Sequence, residues 1–454
     1  MTMTTIRLAA RRAALPFAAA LALLAGALPA RAALPIQHWS QPSGAQVYYV
    51  DSPSIPIVDV QVDFDGGSRR DPAQQAGLAD AIASVAPRGV EARGSDPALD
   101  ENALGEAWAD LGASFDASAG SDRFGFSLRS LSDPALLGRA VALAARQIGE
   151  PAFAEDVWQR ERARAIAALK EAQTRPGAVA GRAYGRAVYG GHPYGFTADA
   201  DTLGRIGVDD LRAAYAARIQ SCRAKVSIVG AVTRAQADGI AAALLSRLPA
   251  ASTGCSALPP VADVPALAAP QDIRIPFNAA QAHVHIGQPG VPRSDPAYFA
   301  LTVGNYVLGG GGFVSRLTEE VREKRGLSYS VYSAFAPGLH AGAFTASLQT
   351  RPDQAAQAVE VARGVIARFV ADGPTEKELR AAKANLVGGF ALRIDSNAKL
   401  IANVANIAWY DLPLDYLDTW TQQVEKVTAA DVRAAFSRVL QPQRMVTVVV
   451  GGRP

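Results

Sequence analysis

Apolar and polar positions along the chain follow two different periods. Short runs rich in β-branched and aromatic residues read as strands: Gln46 to Asp51, Val58 to Phe64, Arg123 to Leu128, Lys225 to Val229, Ala282 to Ile286, Ala341 to Gln349 and Val446 to Val450. Longer stretches, with apolar residues three and four apart, predict amphipathic helices over Pro134 to Ile148, Glu155 to Ala172, Gln354 to Ala371 and Glu376 to Leu392. Strands arrive in groups and so do helices. That grouping favours an α+β architecture with antiparallel sheets over a regular alternation of strand and crossover helix. No glycine-rich phosphate loop stands between a strand and a helix, so nothing points to nucleotide binding.

Residues 250–272 (AASTGCSALPPVADVPALAAPQD) break both periods with small residues and four prolines, the composition of a linker. They divide the chain into segments 33–249 and 273–454, and the two segments echo each other. DLRAAYAARIQSCRAKVSIVG from Asp210 aligns without a gap with DVRAAFSRVLQPQRMVTVVVG from Asp431. Asp210 and Asp431, Arg212 and Arg433, Gln220 and Gln441, Arg223 and Arg444, and Gly230 and Gly451 are identical pairs, and Tyr215 faces Phe436. Each copy reads as an amphipathic helix running into a β-branched strand that a glycine ends. An echo at the same place in both segments implies duplication. The expected fold is two homologous α+β domains, each an antiparallel β-sheet packed with helices, joined by a Pro/Ala-rich linker.

The first residues change the charge picture. Arg7, Arg11 and Arg12 precede an apolar run from Leu15 to Leu28, and Ala30-Arg31-Ala32 is a small-residue cleavage signal. The run is about 14 residues long, short of the roughly 20 that span a bilayer, so residues 1–32 read as a cleaved export signal and not as a stable membrane anchor. The whole chain has formal net charge +3. Setting aside residues 1–32, which hold four arginines and no acidic residue, leaves 41 basic against 42 acidic residues. The exported chain is close to neutral, and a nucleic-acid partner loses its support. A periplasmic location is expected. Cys222 and Cys255 either close a disulfide loop or remain two buried thiols.

Two stretches carry chemistry-bearing patterns: GGSRRDPAQQAGLADAIASVAPRGV at 66–90 and NYVLGGGGFVSRLTEEVREKRGLSYSVYSAF at 305–335. With the HPYG turn at His192 to Gly195, they resemble the pitrilysin/insulinase (inverzincin) metallopeptidases, in the bacterial processing-peptidase-like branch. The resemblance spans essentially the whole exported chain. It implies paired α+β domains closing around a peptide. In active members the helix after Gly-Leu-Ala carries H-x-x-E-H, two zinc-binding histidines and a glutamate that activates water. Here those positions fall on Asp80, Ala83 and Ser84. A methyl group binds no proton, a serine hydroxyl is a poor zinc ligand, and one carboxylate does not hold zinc. The later ligand position falls near Ala168, while Glu161 and Glu171 on the same helix read as a solvated charged face. No metal is expected on this chain. His283 and His285, on one strand face, are the only histidines close in sequence, and AHVHI fits a structural pair in a sheet. His192 is expected to pack or hydrogen-bond within its turn.

The second segment keeps what the first lacks. The resemblance places a substrate-contacting pair on Arg322 and Tyr329, an arginine fork and a phenolic donor able to hold a carbonyl that gains negative charge. Gly309, Gly310, Gly311 and Gly312 match loosely the place of a glycine-rich loop that touches substrate in two-subunit relatives. The resulting expectation is a non-catalytic, peptide-binding subunit that completes a homologous, zinc-bearing peptidase subunit. The alternatives are a purely structural family member and, against Asp80, Ala83 and Ser84, a peptidase with unusual metal ligands.

Overall fold

Eleven strands named here build two sheets of matching design. The protein, a computed structural model, is described over residues 35–249, 255 and 257–452. The expected export signal at 1–32 and residues 250–254 and 256 of the expected linker lie outside the described residues. The first sheet holds β1 (Gln37–Ser40), β2 (Gln46–Asp51), β3 (Ile57–Phe64), β4 (Ser114–Ala119), β5 (Phe124–Leu131) and β6 (Lys225–Gly230), in the order β1-β2-β6-β3-β5-β4. The second holds β7 (Gln271–Ile275), β8 (Ala282–Pro289), β9 (Val331–Phe335), β10 (Ala343–Thr350) and β11 (Val446–Val450), in the order β7-β11-β8-β10-β9. Strand for strand the orders coincide, with β1 the only addition. Even the parallel pair recurs: β2 runs parallel to β6, and β7 parallel to β11, while the other pairings are antiparallel. The two sequence echoes, 210–230 and 431–451, occupy the same place in each half, so the duplication is a property of the fold.

Helices of like order follow in both halves. The first has α1 (Leu78–Val85), α2 (Pro134–Gly149), α3 (Glu155–Ala172), α4 (Pro176–Tyr189) and α5 (Val208–Arg218). The second has α6 (Tyr298–Asn305), α7 (Ala355–Asp372), α8 (Glu376–Gly388), α9 (Asn397–Trp409) and α10 (Ala429–Val439). Asp133 caps α2 by accepting from Ala135 N and Leu136 N, and Thr375 and Glu378 cap α8 reciprocally. One face of each sheet meets its own helices. Val60, Val62, Phe64, Phe126 and Ile228 lie in the first core, and Ile286, Phe344, Leu348, Phe369 and Phe436 in the second. Side chains of this size stabilise by ~1.5–3 kcal/mol each when fully buried.

The opposite faces are covered by exchange. Helix α4, from the first half, lies on β8 and β11 of the second sheet; α9, from the second half, lies on β3 and β6 of the first. Ala180, Tyr184 and Val188 of α4 pack on Ala343, Val446, Val448 and Val450. The Tyr184 hydroxyl donates to Phe344 O at 2.7 Å, and a Cβ on Gly287 would meet that hydroxyl at 2.2 Å, which explains glycine in mid-strand. In return, Lys225 Nζ donates to Ala408 O at 2.7 Å, Ser52 Oγ to Asn397 Oδ1 at 2.8 Å and Arg123 Nη2 to Asn406 Oδ1 at 2.9 Å. Residues Ile36–Pro454 form one compact unit as a result.

Four of these eleven strands escape the sequence pattern, and all four lie at sheet edges: β1, β4, β7 and β9. In β4 (SFDASA) no residue is fully buried, so its composition is that of a loop. Strand β7 begins at Gln271, within the stretch whose composition reads as linker. The helix predicted from Glu376 ends at Gly388, before Gly389 and a short 3-10 turn over Phe390–Arg393. Cys222 and Cys255 form a disulfide with Cα atoms 6.0 Å apart. Among the described residues no helix is long and apolar enough to cross a membrane.

Candidate functional site

In the first half, α1 starts where the chain turns through Gly77 at φ +101, a left-handed conformation in which an added Cβ would also meet Ala198 Cβ at 2.9 Å. Buried Asp71 accepts from Ala79 N at the helix start and from Arg218 Nη1 at 2.9 Å. Asp80 faces outward, and its carboxyl titrates above the ordinary value because hydration is restricted there and Asp71 lies near. Ala83 and Ser84 are half-buried, and the Ser84 hydroxyl donates to Ala81 O of its own helix at 2.9 Å. Ala168 on α3 is exposed.

One charged residue behaves differently from its sequence reading. Glu161 is only 8% exposed, and three arginines hold it: Arg164 at 2.7 Å, Arg160 at 3.2 Å and Arg88 at 3.6 Å. Arg88 and Arg160 also pair with Glu101. Burial raises the Glu101 carboxyl, but the two guanidinium groups outweigh it and leave its pKa below the usual range. The solvated-face reading therefore fails for Glu161, which sits at an ion-pair junction where α1 meets α3; it fits Glu171, which is exposed beside Arg175. This donor set does not fit zinc. It holds no imidazole or thiolate, and its three cations outnumber its two carboxylates, so a divalent ion would be repelled. Among the described residues no group of three or more His, Cys, Asp or Glu could hold a metal.

The histidines have structural partners. His285 Nδ1 lies 2.8 Å from Ser347 Oγ, beneath the Tyr184 ring, and burial, with His283 adding to it, lowers its pKa to about 4. His283 abuts Gly177 of α4. His192 accepts from Tyr194 N at Nδ1 and donates from Nε2 to Ala262 O at 3.0 Å. Tyr194 in turn donates to Asp122 Oδ1 at 2.5 Å, and Asp122 Oδ2 accepts from Leu339 N at 2.8 Å. The HPYG turn thereby fastens the first half to the 336–342 loop of the second.

The second-half site is shaped by two wide helical turns around the glycine run. Helix α6 continues as a π-helical turn over Tyr306–Gly310, and another spans Thr318–Glu323. Such turns are uncommon and cluster at functional sites. Gly309 is buried: a Cβ there would lie 2.5 Å from Ser333 N of β9. Gly311 packs on Tyr306, with Tyr306 O 2.6 Å from its would-be Cβ. Gly310 and Gly312 are open to solvent, and Gly312 adopts φ +61. The run is thus half packing element, half exposed turn.

Buried Leu317, Val321 and Leu327 anchor the segment that follows, so Arg322 projects outward. Ser328 Oγ lies 2.6 and 2.7 Å from Ser330 O and Gln349 O, sharing its one donor between them, and Tyr329 beside it stands in solvent at 79% exposure. Arg322 and Tyr329 meet, with the guanidinium carbon 4.8 Å from the ring centroid. Phe313, which the sequence reading did not single out, also approaches the guanidinium, at 4.6 Å. Its signal was an aromatic residue placed directly after four glycines.

Comparison with known proteins agrees with this geometry. Residues 46–198 match the model of the insulinase family (peptidase family M16), and residues 205–386 match the peptidase M16 inactive domain. The crystal structure of a peptidase M16 inactive domain from Pseudomonas fluorescens superposes with TM-score 0.86 at 33% identity, over 93% of this chain and 98% of that one. An uncharacterized zinc protease of Streptomyces coelicolor is 33% identical over 171 residues, 37% of each chain. A non-peptidase homologue of Helicobacter pylori is 29% identical over 157 residues, 34% of this chain and 36% of that protein. The match thus spans little more than a third of the length of these curated relatives. The chain belongs to the insulinase (M16) peptidase family.

Proposed function

We propose that this protein is the peptide-binding, non-hydrolysing subunit of a two-chain zinc metallopeptidase that works outside the cytoplasm. One observation carries the reading: the two halves have diverged in opposite directions. At the metal positions of the first half stand Asp80, Ala83 and Ser84, flanked by an arginine-rich junction. In the second half, Arg322 and Tyr329 remain together on an exposed surface. A structural remnant has no use for a solvent-facing Arg–Tyr pair next to wound-out helical turns.

Within this reading, zinc in the partner subunit supplies the attacking water. The present chain holds the peptide: Arg322 offers guanidinium donors and Tyr329 one hydroxyl, aimed at a carbonyl oxygen that gains charge as it is attacked. Held in line, the carbonyl reacts as if at high local concentration.

The test is reconstitution with a co-purifying or genomically neighbouring homologue that carries H-x-x-E-H. The chain alone should cleave no peptide, and the mixture should. Arg322→Ala and Tyr329→Phe should each lower turnover by about 100- to 1000-fold, the usual cost of one such donor, with assembly intact by gel filtration. Asp80→Ala should change little. Full activity of the Arg322→Ala, Tyr329→Phe double variant would leave only a scaffold role.

A further inference from the structure

The surface around Arg322 holds more apolar area than holding a carbonyl requires. Phe313 is 71% exposed and Val314 74%, and Tyr332 on the outward face of β9 is 52% exposed. Large apolar groups rarely stand open together on a monomer, and a patch rimmed by charge marks a binding surface. Glu319, Glu320, Glu323, Lys324 and Arg325 form such a rim here, mostly paired among themselves. Among the described residues, the two large cores and the cluster under α4 do not include Phe313 or Val314.

Phe313 also controls Arg322. The guanidinium carbon lies 4.6 Å from the Phe313 ring centroid and 4.8 Å from that of Tyr329, so the cation is in contact with two aromatic rings. Among the described residues its paired anion is Glu323, 3.4 Å from Nε. Among the described residues Nη1 and Nη2 meet no hydrogen-bond acceptor, which leaves the end of the fork free to take one beside the two rings. Phe313 reaches this position because Gly312 turns the chain at φ +61 with no neighbouring atom within 4 Å of a would-be Cβ.

We propose that Phe313 is a specificity-determining residue: with Val314 it receives an apolar or aromatic side chain of an extended peptide whose adjacent backbone carbonyl is held by Arg322. The inference rests on the peptide-binding reading above and adds the chemistry of the side chain selected. Guanidinium donors beside exposed apolar side chains match a backbone carbonyl next to an apolar group.

The experiment uses the full chain and fluorescein-labelled decapeptides of Gly, Ser and Lys with one central Phe, Leu, Ser or Asp, read by anisotropy. The wild type should bind the Phe and Leu peptides about tenfold more tightly than the Ser peptide, the scale of one buried apolar contact. Phe313→Ser should shrink that preference to within about twofold, Phe313→Leu should keep it, and Arg322→Ala should weaken all four peptides alike. Preference unchanged in Phe313→Ser would overturn the assignment while leaving peptide binding standing. Binding of none of the peptides by the wild type would overturn the peptide-binding reading and this inference with it. Circular dichroism confirms that the exposed substitution leaves the fold intact.

Discussion

Replacing His285 with glutamine should make the protein less sensitive to mild acid. His285 sits between Ser347 Oγ, at 2.8 Å, and the Tyr184 ring, and burial brings its pKa from 6.5 to about 4. The folded chain therefore keeps this imidazole neutral at a pH where the unfolded chain protonates it. A folded-state value below the unfolded one means stability present above pH 6.5 and lost as pH falls toward 4. Between pH 7 and pH 5 the two values imply a loss of about 2 kcal/mol, and about 1–2 kcal/mol once partial contact with solvent is allowed for. Glutamine keeps a polar group for Ser347 but does not titrate. Urea unfolding at pH 7 and pH 5 measures the difference, with wild type losing that much more than His285→Gln. Micromolar zinc at pH 7 should stabilise neither protein, since the neutral imidazole is spent on Ser347. Equal acid losses in the two proteins would refute the reasoning. So would zinc stabilisation that disappears in the variant, because it would make His283 and His285 a metal site.

Purified protein dialysed against metal-free buffer should hold well below one zinc per chain by elemental analysis, and chelator should not alter its melting. Glu161→Ala should destabilise by about 2–3 kcal/mol in thermal or urea unfolding, since it strips the counter-charge from Arg88, Arg160 and Arg164, whose own partial exposure softens the loss; Glu171→Ala, on the same helix, should cost under about 0.5 kcal/mol. Gly309→Ala should cost about 1–3 kcal/mol, because its Cβ meets the backbone of β9, whereas Gly310→Ala, facing solvent, should cost less; unfolding midpoints of the two variants rank them.

The interior strands were legible because their residues are apolar on nearly every position: VSIVG and VTVVV end the two copies of the repeat and lie in the middle of their sheets. Edge strands such as Ser114–Ala119 were not, since a half-paired, half-wet strand needs no apolar stripe. The exchange of α4 and α9 left no trace in the pattern. Periodicity shows that a helix has an apolar face and is silent about which sheet it meets. At the site, Arg322 and Tyr329 could be named through motif resemblance, whereas Glu161 was misread because RERAR has the composition of a wet helix surface. Its burial depends on Arg88, which arrives from a different element 73 positions earlier in the chain. Phe313 needed the structure, because only the π-wound turns on both sides bring it over Arg322.

The crossed placement of α4 and α9 gives the two halves a lock that neither would have alone. Each sheet wears a lid made by its twin, so a chain cut within residues 257–270 would yield two fragments that both expose a bare sheet face: Val446, Val448 and Val450 on one, and Asp59, Gln61 and Asp63 on the other. The fragment with the bare valine face should not be soluble by itself. Produced together, they should find each other without the peptide link, much as two hands clasp, and the pair should melt as one body.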